Sequence, residues 1–167
     1  MPIEPGARFP QATLTESTEF GDACPIAPQK IDTAQAAAGK TIAIFGVPGA
    51  FTPTCSERHV PGYLRHCEAL KQKGVDEVWC IAVNDGFVMA AWGKQLGALG
   101  KIRFLGDGSA ELTKKLGLEL DLTPNGMGVR LRRCSLLVKD GVVARVNVEA
   151  PGKLEVSSAE AMLEQLG

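Results

Sequence analysis

Two apolar runs separated by a helical pattern constrain this chain most. Residues 40–47, KTIAIFGV, and 76–84, DEVWCIAVN, are short, apolar and rich in β-branched residues. Runs of that length and composition read as buried strands, and the first is ended by Pro48-Gly49. From Cys55 to about Lys73 the period changes: Val60, Leu64 and Cys67 fall at i, i+4 and i+7, and Gly74 stops the pattern. Pro61 lacks a backbone donor and predicts a kink or a fresh first turn inside that helix.

The rest of the chain continues the alternation. Residues 86–100 read as a helix, 101–107 as a strand and 109–118 as a short helix. Residues 132–149, RRCSLLVKDGVVARVNVE, read as a hairpin around Asp140-Gly141. The segment 157–167 reads as a closing helix with Ser157 or Ser158 as its cap. Residues 12–18, ATLTEST, alternate like an edge strand or hairpin arm, and 21–40 read as loop. The order of elements predicts one α/β domain over 1–167, a mixed central sheet flanked by helices.

Composition narrows the function. A net charge of −1 gives no electrostatic case for nucleic acid or an anionic membrane. No apolar run is long enough to span a bilayer, and the N-terminus has no basic segment followed by an apolar one, so a cytoplasmic protein is expected. The five cysteines, at 24, 55, 67, 80 and 134, include no CxxC pair, which argues against a dithiol redox pair and against a zinc ribbon. In a reducing compartment they are expected as thiols.

One stretch, VPGAFTPTCSERHVPG (47–62), has a composition that packing alone does not explain. Cys55 stands where the helix begins, and the unpaired N–H groups and positive dipole end there favour an anion. That is how a thiol is made into a thiolate, the nucleophilic form. Thr52 and Thr54 add hydroxyls, while Pro48 and Pro53 stiffen the loop. On local chemistry alone, a buried packing cysteine and a reactive one remain equal readings.

The string PGAFTPTC carries Pro48, Thr52 and Cys55 in the spacing P-x-x-x-T-x-x-C, and it resembles the active-site loop of peroxiredoxins. The longer string FGVPGAFTPTCSERHVPGYL resembles the type II or atypical subfamily (Prx5). GVDEVWCIAVNDGFVMAAWGK and RCSLLVKDGVVARVNVE resemble it too, in the same order. The resemblance runs from about Thr41 to the C-terminus. It implies a thioredoxin-like fold and thiol-dependent reduction of hydrogen peroxide and organic hydroperoxides, without a metal or organic cofactor. Cys55 then corresponds to the peroxidatic cysteine, which becomes a sulfenic acid. Thr52 would hydrogen-bond the peroxide, and Pro48 would shield the sulfur. Arg133 would stabilise the thiolate and hold the O–O bond in line. Strand alternation places Arg130 and Arg132 on one face and Arg133 on the other. The resemblance also implies a homodimer formed near the active-site loop.

The chain departs from those relatives that resolve the sulfenic acid with a cysteine near the C-terminus. Here the segment PGKLEVSSAE has none, and Val156 stands near that position. Cys80, in an apolar strand, reads as core, as do Cys67 and Cys134; Cys24, between prolines, reads as exposed. The expectation is a one-cysteine cycle with an external reducing thiol, either glutathione with glutaredoxin or thioredoxin. His59 reads as structural or close to a subunit contact rather than as a base. His66 reads as a surface or packing residue, and Trp92 as a core or interface anchor. A thiol sensor that does not turn over, and a Cys55–His59 hydrolase, are the competing functional classes.

Overall fold

The computed structural model describes residues 1–167. Along the chain come β1 (Thr13–Glu16), β2 (Glu19–Phe20), β3 (Pro25–Ile26), β4 (Gln29–Asp32), α1 (Thr33–Ala37) and β5 (Thr41–Gly46). After a wide helical turn at Cys55–His59 follow α2 (Val60–Arg65), α3 (Cys67–Gln72), β6 (Glu77–Ala82), α4 (Gly86–Gln95), β7 (Arg103–Gly106) and α5 (Glu111–Leu116). The chain closes with β8 (Glu119–Leu122), β9 (Gly128–Leu131), β10 (Cys134–Lys139), β11 (Val142–Val148) and α6 (Ala159–Leu166).

Seven strands form one sheet in the order β11-β10-β5-β6-β7-β1-β4. β5, β6 and β7 run parallel, and every other pairing in the sheet is antiparallel. This is the mixed sheet flanked by helices that the order of elements predicts, and its central strands are covered on both faces. Ala43, Phe45, Val78, Cys80 and Ala82 pack with Tyr63, Trp92 and Met162 on one side. Ile42, Ile44, Trp79 and Ile81 pack with Leu14, Leu105 and Leu112 on the other. Burial on both faces is why these strands read as continuous apolar runs.

Four expectations are corrected. Residues 21–40 hold β3, β4 and α1; β4 is half-exposed and polar, so it carries no apolar period to read. Of the two readings of 12–18 the edge strand fails, because β1 lies between β7 and β4, while its antiparallel pairing with β4 agrees with the hairpin arm. The single helix expected over 55–73 is three pieces. Pro61 lies in the fresh first turn expected of it, at the start of α2, and a further interruption that the sequence did not signal falls at His66, where φ is −101° and ψ is 8°. Just before Pro61 the turn widens, with the Val60 N–H donating to the Cys55 carbonyl. The missing N–H of Pro61 then falls in the first turn of α2, where a helix tolerates it. Finally, Arg130 ends up on β9, while Arg132 and Arg133 lie between β9 and β10, so simple strand alternation does not place the three arginines.

Candidate active site

The loop after β5 leaves the sheet at the carboxyl end of a central parallel strand. Its backbone is pinned from three sides. The Val47 N–H donates to the Ile81 carbonyl at 3.0 Å. The Ala50 N–H donates to Asn84 Oδ1 at 2.9 Å. The Pro48 carbonyl accepts from Arg130 Nη1 at 3.3 Å. Phe51 at its tip holds a left-handed φ of 61° and is half-exposed. A Cβ at Gly49 would lie 2.8 Å from Arg130 Nη1, so a side chain there would displace the guanidinium from the loop.

The chain then turns into the helix. The Ser56 N–H donates to the Thr52 carbonyl at 2.9 Å, so Cys55 lies inside the first helical turn. Thr52 Oγ1 donates to the Gly49 carbonyl at 2.7 Å. Cys55 itself is fully buried. Across the sheet, β10 pairs antiparallel with β5 and sets Cys134 opposite Gly46. That register leaves Arg133 beside the loop that follows Gly46, with its Nη2 donating to Cys55 Sγ at 3.1 Å. The four residues singled out in the sequence, Pro48, Thr52, Cys55 and Arg133, are thus brought to one place. Arg130 reaches the same loop from β9, but through its backbone rather than its sulfur.

Behind Arg133 lies a set of contacts that the sequence does not disclose. Arg133 Nη1 meets His59 Nδ1 at 2.9 Å, and His59 Nε2 meets the Ser157 carbonyl at 2.9 Å. Burial, aided by the Arg133 charge, pushes the His59 pKa down to about 3 against the pull of the Ser157 carbonyl. The ring is therefore neutral at physiological pH, and with a pKa that low it is a weak base. Tyr63 stacks on Phe45 and donates its hydroxyl to the same Ser157 carbonyl at 3.0 Å. Trp92 is buried and donates Nε1–H to Ser56 Oγ at 2.9 Å, tying α4 to the first turn after Cys55.

The other cysteines separate cleanly. Cys67, Cys80 and Cys134 are buried and Cys24 is exposed, as expected. Burial raises the Cys80 thiol well above its ordinary pKa and pushes Cys134 up to about 12, so both are neutral thiols. His66 is half-exposed, 3.7 Å from Glu160. A cleft of about 610 Å³ lies at the far end of β6 and β7, against Glu77 and Arg103. It is remote from Cys55 and plays no part in this site.

The whole chain is similar to known proteins. The redoxin family model matches residues 4–163. Peroxiredoxin-2C of Arabidopsis thaliana is 47% identical over 165 residues, covering 99% of each chain. The chain belongs to the peroxiredoxins. Reduced Prx3 of Vibrio vulnificus, solved in complex with H2O2, superposes with a TM-score of 0.91 at 44% identity over 99% of each chain. Peroxiredoxin 5 of Alvinella pompejana superposes at 0.85 with 33% identity, covering 99% of this chain and 98% of that one. The fold is accordingly the thioredoxin-like one of the redoxins, and this peroxiredoxin is a thiol peroxidase. A hydrolase is thereby set aside.

Proposed function

We propose that Cys55 is the peroxidatic thiol of this peroxiredoxin, that Arg133, Thr52 and Pro48 serve it, and that an external thiol completes a one-cysteine cycle. The observation that carries this reading is the guanidinium donor 3.1 Å from the sulfur. A planar, permanently charged group held beside a buried sulfur stabilises the thiolate without reorganising during the reaction. The thiolate attacks one peroxide oxygen, forming the S–O bond as the O–O bond breaks. The electron pair leaves with the distal oxygen, which takes a proton and departs as water, or as an alcohol from an organic hydroperoxide. Thr52 donates its proton to the Gly49 carbonyl, so its oxygen presents lone pairs that accept a peroxide O–H. Pro48, half-buried at the loop, covers the sulfur from solvent.

The sulfenic acid then condenses with an external thiol to a mixed disulfide and water. A second thiol releases Cys55. Glutathione with glutaredoxin, or thioredoxin, are the reductants of choice. Two facts favour a one-cysteine cycle. Cys80 is locked in the middle of the sheet, registered between Phe45 and Phe104 of its neighbours. Val156 stands exposed near the position where the resemblance to type II members would put a C-terminal resolving cysteine. A homodimer through the loop is part of the same proposal, with Phe51 as its exposed apolar anchor.

The test is mass spectrometry after one equivalent of hydrogen peroxide with a sulfenic-acid trap, beside turnover assays on single Cys→Ser variants. Trapped oxidation confined to Cys55, no turnover in Cys55→Ser, and retained turnover in Cys24→Ser and Cys80→Ser are expected. A Cys55–Cys80 or Cys55–Cys24 disulfide would overturn the one-cysteine cycle. An inert Cys55 would overturn the assignment itself.

A further inference from the structure

The side chain and the backbone of Arg133 are the two ends of one closed circuit of hydrogen bonds. From the guanidinium it passes to His59 Nδ1 at 2.9 Å and from His59 Nε2 to the Ser157 carbonyl at 2.9 Å. The Ser157 N–H and hydroxyl both donate to Glu149 Oε2, at 2.7 and 2.6 Å. The Glu149 N–H then donates to the Arg133 carbonyl at 2.9 Å. His59, Ser157 and Glu149 are all buried.

We propose that Glu149 is a positioning residue for the peroxide reaction: by fixing the Ser157 carbonyl it sets the tautomer of His59 and, through it, the aim of Arg133 at Cys55. The inference rests on the reading of Arg133 given above. A carbonyl only accepts, so the proton of the neutral imidazole sits on Nε2 and Nδ1 carries a lone pair. That lone pair accepts from Arg133 Nη1. The opposite tautomer would set N–H against N–H at Arg133 and lone pair against lone pair at Ser157. The acceptor-only carbonyl at Nε2 and the donor-only guanidinium at Nδ1 thus support the same tautomer, and displacing the carbonyl removes one of its two supports.

Little else fixes that carbonyl. Ser157 lies in the irregular stretch between the end of β11 at Val148 and the start of α6 at Ala159. Tyr63 donates to its oxygen at 3.0 Å. Its own N–H and hydroxyl are held by one carboxylate oxygen, which also takes the Glu155 N–H at 2.8 Å. Charge-assisted bonds of this kind are about twice as strong as neutral ones. None of the ion pairs includes Glu149, so these donors, and not a cation, are what the carboxylate serves.

The experiment compares wild type, Glu149→Gln, Arg133→Ala and the double variant by stopped-flow oxidation with hydrogen peroxide. The His59 ring is read in parallel by 15N–1H correlation spectroscopy. Glu149→Gln is expected to slow oxidation of Cys55 about tenfold, within the coupling range of one hydrogen-bond network. Its ring spectrum should show both tautomers where wild type shows only the Nε2–H form, and the double variant should be no slower than Arg133→Ala. A wild-type rate in Glu149→Gln, or an unchanged ring spectrum, would overturn the inference. So would a double variant slower than Arg133→Ala by the full factor that Glu149→Gln causes alone, since Glu149 would then act only on the fold. If Arg133→Ala itself keeps the wild-type rate, the reading of Arg133 fails first and this inference falls with it. Should Glu149→Gln not fold, Ser157→Ala removes one donor from the same carboxylate and keeps the backbone. It carries the same comparison with an expected slowing of about two- to fivefold.

Discussion

Mild acid should destabilise this protein through His59 well before its carboxylates are protonated. The folded ring titrates at about 3, because burial penalises its charge, whereas in the unfolded chain it takes its ordinary value of 6.5. A depressed folded value means that the unfolded state binds the proton first. The stability is complete above the unfolded value and is lost progressively as pH falls toward the folded one. Each pH unit inside that window is worth about 1.4 kcal/mol, so going from about pH 7.5 to pH 5 should cost about 2 kcal/mol. For a chain of this size that is a drop in Tm of about 4–8 °C. Glu149, Glu77 and Glu111, held below their ordinary 4.5, lose their stabilisation in the same direction but only once pH falls beneath that value. The two windows are therefore separable. Urea melts at about pH 7.5, 6 and 5 on wild type and His59→Gln measure the effect, with the variant as its own baseline. Equal losses in the two proteins, or a flat wild-type profile down to pH 5, would refute the argument and with it the neutral, buried ring.

Three further variants have defined expected outcomes. Gly106→Ala would place a Cβ 2.5 Å from the Asn84 carbonyl and 2.9 Å from the Gly86 nitrogen, where only backbone can yield; thermal melts should show a loss of about 1–3 kcal/mol. Because Asn84 holds Ala50, peroxide oxidation of Cys55 should slow in that same variant. Trp92→Phe removes the donor to Ser56 Oγ and should cost about 1 kcal/mol in denaturant unfolding, with added loss from the smaller ring. Arg130→Ala frees the Pro48 carbonyl while leaving Arg133 on the sulfur, so stopped-flow should show slower oxidation than wild type but faster than Arg133→Ala.

How much of this was legible in the sequence follows from where each signal resides. The central strands could be read because burial on both faces writes a continuous apolar run after the first residue of β5 and of β6. The hairpin of β10 and β11 could be read because Asp140, at φ 48°, and Gly141, at φ 77°, occupy its turn. The final helix announced its cap, and Ser158 does accept from the Ala161 N–H. β4 could not be read, because an exposed edge strand of Gln29–Asp32 needs only the partner β1 and no apolar face. Cys55, Thr52 and Pro48 stand in one loop and share a spacing. Arg133 lies 78 positions from Cys55, and only the register of β10 on β5 brings it there. His59 and Ser157 lie 98 positions apart, with no local pattern to join them. The sole hint was composition: a glutamate ending a strand and a serine pair ahead of a helix.

That hidden part bears on the chemistry as much as the visible loop does. None of the ion pairs includes Arg133, although the arginine is half-buried. Had a carboxylate stood at Nη1, it would have taken most of the guanidinium field, and the sulfur beside Nη2 would have met a nearly neutral pair. Instead Nη1 is satisfied by the lone pair of a neutral imidazole. The negative charge that organises this corner, Glu149, touches the arginine only through its backbone N–H and, on the side-chain route, through Ser157 and His59. In a buried site, opposite charges interact more strongly than in water, so where the anion is placed decides which group the cation serves. Keeping it at a distance leaves the charge of Arg133 directed at Cys55.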